Sequence, residues 1–139
     1  MAAIDNIRAT MVLQNMLGNG FTAWTGAVQP MWVRLMTANG TMTGNGTELG
    51  GAGYTNGGLS GSFGNATTGS AGPTCAGMTA AAALSWTAGA VWAITGFELW
   101  DNAGTKLRWW FGTFTGGTVN VGNGQILQIA QNAISVSLS

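Results

Sequence analysis

Short runs of alternating apolar and polar residues, stopped again and again by glycine, fill most of this chain and leave room for little besides β-strands. The clearest stretch is Val91 to Phe114. There Trp92, Ile94, Glu98 and Trp100 alternate with Val91, Ala93, Phe97 and Leu99, and a return strand sets Leu107, Trp109 and Phe111 against Lys106, Arg108 and Trp110. Side-chain parity restricts how the two join. A two- or four-residue loop puts Leu99 opposite Lys106 and mixes the faces. The three-residue loop Asn102-Ala103-Gly104 instead pairs Leu99 with Leu107, Phe97 with Trp109 and Glu98 with Arg108. That loop class ends on a left-handed glycine at a bulge, the place Gly104 occupies. Glu98 and Arg108 then form a cross-strand ion pair worth roughly 0.2–1 kcal/mol.

Other strands follow the same logic. After Pro30, Met31, Val33 and Leu35 share one face while Trp32, Arg34 and Met36 share the other; both faces are largely apolar, which predicts cover on two sides. Tyr54 to Phe63 is a weaker strand, interrupted by Gly57, Gly58 and Gly61, and residues 38–53 and 64–74 are expected as loops. Gly122-Asn123-Gly124 separates a strand near Thr118 to Val121 from one at Gln125 to Ile129, and the chain ends with Ile134, Val136 and Leu138 inward and Ser135, Ser137 and Ser139 outward. Residues 4–17 form the one expected helix. Ile4, Ile7 and Met11 lie on one stripe, Leu13, Met16 and Leu17 follow, Asp5 suits the positive end of the dipole, and Gly18-Asn19-Gly20 is the stop. The expected fold is an all-β antiparallel β-sandwich with one short N-terminal helix, organised as a helix arm over residues 1–20 and a single β-sandwich domain over 21–139.

Charge narrows the function. Four basic and four acidic residues make 6% of the chain and a net charge of zero, where soluble domains carry roughly 25% charged residues. Copies of such a chain do not repel one another. Seven Trp and seven Met are residue types favoured at contacts. The expectation is an exterior largely covered by other subunits. Adjacent Trp109 and Trp110 should point to opposite faces, so at least one faces outward. Trp32, Trp92, Trp100 and Trp110 are the candidate interface residues, with Glu98, Arg108 and Gly104 in structural roles. Arg8, Arg34, Lys106 and Arg108 are too few and scattered to form a nucleic-acid footprint. No run approaches the ~18 apolar residues of a membrane span. Met1 to Leu17 carries Asp5 and Arg8 and lacks the apolar segment of a signal peptide, so synthesis in a cytoplasm without export is expected.

Catalytic chemistry finds little to build on. Histidine is absent, removing the commonest general base and metal ligand. Cys75 is the single cysteine, so it forms no intrachain disulfide, and it fits a small buried apolar position better than a nucleophile. Glu98 and Asp101 are the only carboxylates close enough in sequence to resemble a glycosidase pair; an ion pair and a turn-forming Asp account for them better. Glu48 near Asn45 lacks the further oxygens of a calcium site. The glycines of Gly44 to Gly53 lack the Lys and strand–helix setting of a phosphate loop. Trp86, Trp92, Trp100, Trp109 and Trp110 could stack on sugars, but converging polar groups are few and protein contact fits better. No cofactor and no metal are expected, and no enzymatic activity.

Several stretches carry a family likeness. Arg8, Met11 and Val12 sit in the helix, and Leu35-Met36-Thr37-Ala38 ends a strand. GTELGGAGYT spans Gly46 to Thr55, LSW spans Leu84 to Trp86, ITGFELWDNAG spans Ile94 to Gly104, and an alternating ISVSL closes the chain. This order resembles small tailed-bacteriophage virion proteins labelled tail-fibre or minor tail proteins, some of them similar to capsid decoration proteins. In that family the stretch matching Gly46 to Tyr54 keeps Thr-Glu, Gly-Gly and Tyr before a basic residue, and the one matching Ile94 to Gly104 keeps Ile-Thr, an aromatic, Asp and Gly. Here Asn56-Gly57 stands where the basic residue is usual and Gly96 where a polar residue or His is common. The resemblance implies a β-sandwich that oligomerises, as a trimer, and coats the particle against the major capsid protein. The virion, assembled in the host cytoplasm, is then its location. A tail-fibre or tail-tip module binding host-surface carbohydrate is the alternative.

Overall fold

In the computed structural model, residues 2–4, 6–17, 27–63, 66–69, 72–75, 83–131, 133–134 and 136–137 are described. Among them run thirteen short strands and one helix. These are β1 (Ala2–Ile4), α1 (Asn6–Met16), β2 (Met31–Ala38), β3 (Thr47–Glu48), β4 (Leu59–Gly61), β5 (Ala66–Gly69) and β6 (Gly72–Cys75). They continue with β7 (Leu84–Thr87), β8 (Trp92–Ile94), β9 (Gly96–Trp100), β10 (Arg108–Thr113), β11 (Val119–Val121), β12 (Ile126–Ile129) and β13 (Val136–Ser137). The protein is all-β with antiparallel sheets, sandwich-like, with one short helix. The largest sheet runs β1-β10-β9-β2-β3, and β4 also pairs with β2; smaller sheets join β11 to β8, β12 to β7, and β13 to β6 to β5.

β2 is the hub, and its alternation works as expected. Met31, Val33 and Leu35 point into the core, Trp32 and Arg34 are half-buried on the other side, and Met36 on that same side is buried too. Both faces of β2 are therefore covered. The core gathers Val33, Leu35, Ile94 and Leu99 with Tyr54, Trp86, Trp92 and Trp109. An aromatic side chain hides about 150–250 Å², or at most about 4–6 kcal/mol each measured against an extended chain. The buried indoles therefore supply a large share of the stability.

The chain changes sheets at Thr95. β8 pairs with β11, whereas β9 joins β2 and β10. Between them Thr95 donates both its N–H (2.8 Å) and its hydroxyl (3.2 Å) to the Met36 carbonyl. Side-chain parity flips across this corner. The even-numbered Trp92 and Ile94 face the core on β8; on β9 the odd-numbered Phe97 and Leu99 do. Trp92, expected beside Trp100 at an interface, is instead a core residue with 2% of its surface exposed.

The β9–β10 hairpin also differs from its expected register. Trp100 faces Arg108, then the register shifts, and Leu99 faces Trp110, Glu98 faces Phe111 and Phe97 faces Gly112. Trp109 is the extra residue of a bulge. Because opposed residues share a face, Trp110 lies on the core side with Leu99. The Trp109 and Trp110 rings stack side by side, centroids 5.8 Å apart. Neither is the outward-pointing tryptophan that strict alternation predicts. The connection spans residues 101–107 rather than three residues, because Asp101 closes it: its N–H donates to the Leu107 carbonyl (3.0 Å), and its Oδ1 accepts from Leu107 N (2.9 Å) and Ala103 N (3.3 Å). Gly104 sits exposed in this loop outside the left-handed region, so the bulge glycine role does not fall to it.

Three smaller differences concern strand extent. The expected 64–74 loop is largely taken up by the paired strands β5 and β6, the latter ending at Cys75, where Thr67, Thr68 and Thr74 have the β-branched preference that neighbouring glycines mask in sequence. Only Leu59–Gly61 of the expected Tyr54 to Phe63 strand is extended. Gly57 and Gly58 take φ of +94° and +76°, curling the chain over β2 so closely that a Cβ on Gly58 would strike the Val33 carbonyl. Ahead of the helix, β1 pairs with β10, placing Ala2 opposite Gly112 and Ile4 opposite Trp110. Asp5, the Gly18-Asn19-Gly20 stop, Ser135, Leu138, Ser139 and the side chains of Arg8, Cys75 and Val136 lie outside what is described.

Candidate functional site

The side of β2, β9 and β10 that turns away from the core carries most of the chain's described charge. Register sets Trp32 opposite Trp100 and Arg34 opposite Glu98, with Arg108 on the far side of Trp100 and Phe111 beyond Glu98. Arg34 lies over the Trp100 ring, 4.0 Å from its centroid, and its guanidinium reaches Glu48 at 3.4 Å. Lys106 Nζ lies 3.8 Å from the centroid of Trp32, whose Nε1 donates to Asn102 Oδ1 at 3.0 Å. Each such cation–aromatic contact is worth about 0.5–1 kcal/mol where exposed.

Glu98 and Arg108 do pair, at 2.9 Å, as the sequence predicts, but in a different setting. Their side chains are 1% and 2% exposed, and the two are diagonal neighbours across the bulge, not directly opposed. The glycine-rich segment 39–46 closes over them. Glu98 Oε1 accepts from Gly46 N (2.7 Å) and Oε2 from Trp100 Nε1 (3.0 Å); Arg108 donates to the Gly44 carbonyl (2.7 Å) and the Thr41 carbonyl (2.6 Å). Desolvated and fully hydrogen-bonded, this pair belongs to a different energetic class from a surface ladder contact.

The three described carboxylates share one pattern. Each joins an aromatic donor to the backbone of a loop. Glu48 accepts from the Tyr54 hydroxyl (2.9 Å) and Gly57 N (2.6 Å); Glu98 accepts from Trp100 and Gly46; Asp101 accepts from Trp109 Nε1 (3.0 Å) and Leu107 N. Glycine loops bring no side chains of their own to satisfy their amides, and carboxylates do so with charge-assisted bonds. Asp101 is the turn former that the sequence predicts. Asp101 and Glu98 are each held by their own loop and their own indole donor, with no hydrogen bond between them.

Two consequences can be measured. Gly40 lies directly against the Arg108–Glu98 pair, where a Cβ would meet both charged groups. Gly40→Ala should therefore lower unfolding free energy by about 1–3 kcal/mol through overpacking, read by urea denaturation; an unchanged midpoint would mean that segment 39–46 does not sit on the pair. Tyr54 is the chain's one tyrosine. Burial foremost, with Glu48 adding to it, pushes its phenol well above the ordinary value of 10.0, outweighing the opposing Leu35 N–H and Arg34. Above pH ~10 the unfolded chain loses this proton while the folded chain keeps it, so stability falls as pH rises, by up to about 1.4 kcal/mol per pH unit. Tyrosinate absorbance should appear only together with unfolding. A titration near the ordinary value in the intact fold would show the phenol to be solvated.

Of the four tryptophans singled out from sequence, Trp32 and Trp100 lie together on the outer face, half-buried; Trp110 packs beside the core and Trp92 is inside it. Sequence reasoning missed Lys106, Asn102 and Arg34 as their partners, since side chains 70 residues apart, as Trp32 and Asn102 are, leave no local pattern. It also missed the strongly exposed apolar residues Leu13, Met16, Leu17, Val91 and Ile126. The spacing of the first three on the helix was visible, but their exposure was not. Among the described residues no three acids or cysteines cluster as metal ligands, and no helix is long and apolar enough to cross a membrane. Comparison with protein-family models, with curated proteins and with solved structures gives no match.

Proposed function

We propose that this chain is a non-enzymatic structural subunit of a tailed-phage particle, a capsid decoration protein that binds the major capsid protein as an oligomer, with a trimer the expected form. The observation that carries the reading is an almost uncharged chain that leaves large apolar side chains in solvent: Leu13, Met16, Leu17, Met42, Val91 and Ile126. Neutral, apolar exteriors favour association. The carboxylates add support, because Glu48, Glu98 and Asp101 are each tied to a loop backbone and an aromatic donor and so serve architecture. The likeness to virion proteins supplies the particle, and the low charge favours a covered site on the head over a solvated fibre tip. Cryo-electron microscopy of the particle tests this. Density for the chain on the shell is expected, and density at the tail alone would overturn the head location.

The alternative is a tail module that binds carbohydrate. What favours it is the pair Trp32 and Trp100, adjacent on the outer face beside Asn102. Against it, Lys106 and Arg34 already lie on those rings. Glycan-array binding that disappears in Trp32→Ala would establish this alternative.

A further inference from the structure

Asparagine stands directly before glycine at Asn39-Gly40, Asn45-Gly46, Asn56-Gly57 and Asn123-Gly124, all among the described residues. Such a pair carries a latent reaction of its own. The glycine nitrogen, once it gives up its proton, can attack the carboxamide carbon of the asparagine before it, and glycine has no Cβ to obstruct the approach. The new C–N bond closes a five-membered imide while the carboxamide C–N bond breaks, and the proton passes through water to the departing ammonia. Water then opens the imide at either carbonyl and leaves an aspartate or an isoaspartate linkage, with a carboxylate in place of the neutral amide. Nothing is oxidised or reduced.

The fold ties down three of these nitrogens. Gly46 N donates to Glu98 Oε1 (2.7 Å), Gly57 N to Glu48 Oε1 (2.6 Å) and Gly124 N to the Ala88 carbonyl (2.7 Å). A hydrogen bond given by the neutral N–H opposes its deprotonation, most strongly where a carboxylate accepts it. It also fixes the nitrogen toward its acceptor and away from the preceding side chain. Gly40 N has no such partner among the described residues. Asn39 is exposed, and its carboxamide oxygen lies against Gly96 without a hydrogen bond to hold it. We propose that Asn39 is a self-modifying site, the one of these asparagines that converts to aspartate and isoaspartate in the folded protein. Its place gives the change a consequence. Gly40 packs on the buried Glu98–Arg108 pair, and an isoaspartate at position 39 lengthens the main chain by a methylene next to that contact. Segment 39–46 then fits less closely over the pair it covers. Each conversion also adds a negative charge to a chain whose net charge is zero.

Peptide mapping by mass spectrometry tests this on the full chain, incubated in mildly alkaline buffer with and without concentrated urea. Unfolded, the four asparagines should convert at similar rates, since each precedes a glycine. Folded, Asn39 should convert at least about tenfold faster than Asn45, Asn56 and Asn123, because each unit by which a hydrogen bond raises an acid's pKa cuts its ionised fraction tenfold. Glu48→Ala removes the acceptor of Gly57 N and should speed conversion at Asn56 while Asn45 and Asn123 stay slow. The converted fraction, separated from the parent by charge, should unfold at a lower urea concentration. Folded protein in which Asn39 converts no faster than the other three would overturn the proposal, as would an Asn56 that stays slow in Glu48→Ala. An unchanged urea midpoint in the converted fraction would overturn the loosening of segment 39–46.

Discussion

Arg108→Met should cost about 3–5 kcal/mol of folding stability, seen as a large drop in the urea midpoint by circular dichroism. The substitution leaves the Glu98 carboxylate buried without its counter-charge, and it strips the Gly44 and Thr41 carbonyls of their donor. Glu98→Gln should cost less, since the amide oxygen can still accept from Gly46 N. The double replacement Glu98→Leu/Arg108→Met separates two contributions. Exchanging a buried pair for apolar groups is often neutral or favourable, but here Gly46 N and Trp100 Nε1 would lose their acceptor as well. The double variant should therefore remain less stable than the parent. A double variant as stable as the parent would mean that the pair does not hold segment 39–46.

Trp92→Ala should be similarly severe, about 3–5 kcal/mol, while Trp32→Ala should cost about 1 kcal/mol or less. Trp92 packs at the centre of the core, edge-on to Tyr54 with ring centroids 6.3 Å apart and an interplanar angle of 89°, a geometry that adds about 0.5–1.5 kcal/mol to plain burial. Trp32 is half-buried, with Lys106 over its ring and Asn102 on its nitrogen. Comparable losses from the two substitutions would contradict the layering described above. The contrast also bears on assembly. Trp92→Ala should act on folding, whereas a contact on the outer face of β2 would register Trp32→Ala in oligomer formation with little change in stability.

The stored strength of the fold lies in indoles and in carboxylates, two groups that a chain with so few charges and so many glycines uses in combination. Glu48, Glu98 and Asp101 each secure a loop amide while satisfying a Tyr or Trp donor. That arrangement keeps glycine-rich loops in place over a sheet whose outer face would otherwise be open.

What the sequence determined by itself is what local periodicity records. The alternation over Met31 to Ala38 and along β9, the glycine stops, the helix near the N-terminus, the turn role of Asp101 and the partnership of Glu98 with Arg108 all follow from neighbours in the chain, because strand pleat and turn chemistry act over two to four residues. Only the tertiary structure decided which face was inside. At Thr95 the chain passes from one sheet to another, and at Trp109 it bulges, and each event shifts parity by one residue. Neither changes the local pattern of apolar and polar residues; both are held by distant partners, the Met36 carbonyl for Thr95 and the Asp101 carboxylate for Trp109. With those two parity shifts, Trp92 faces inward, Trp109 and Trp110 lie on the same side, and Trp32 and Trp100 sit together on the outer face.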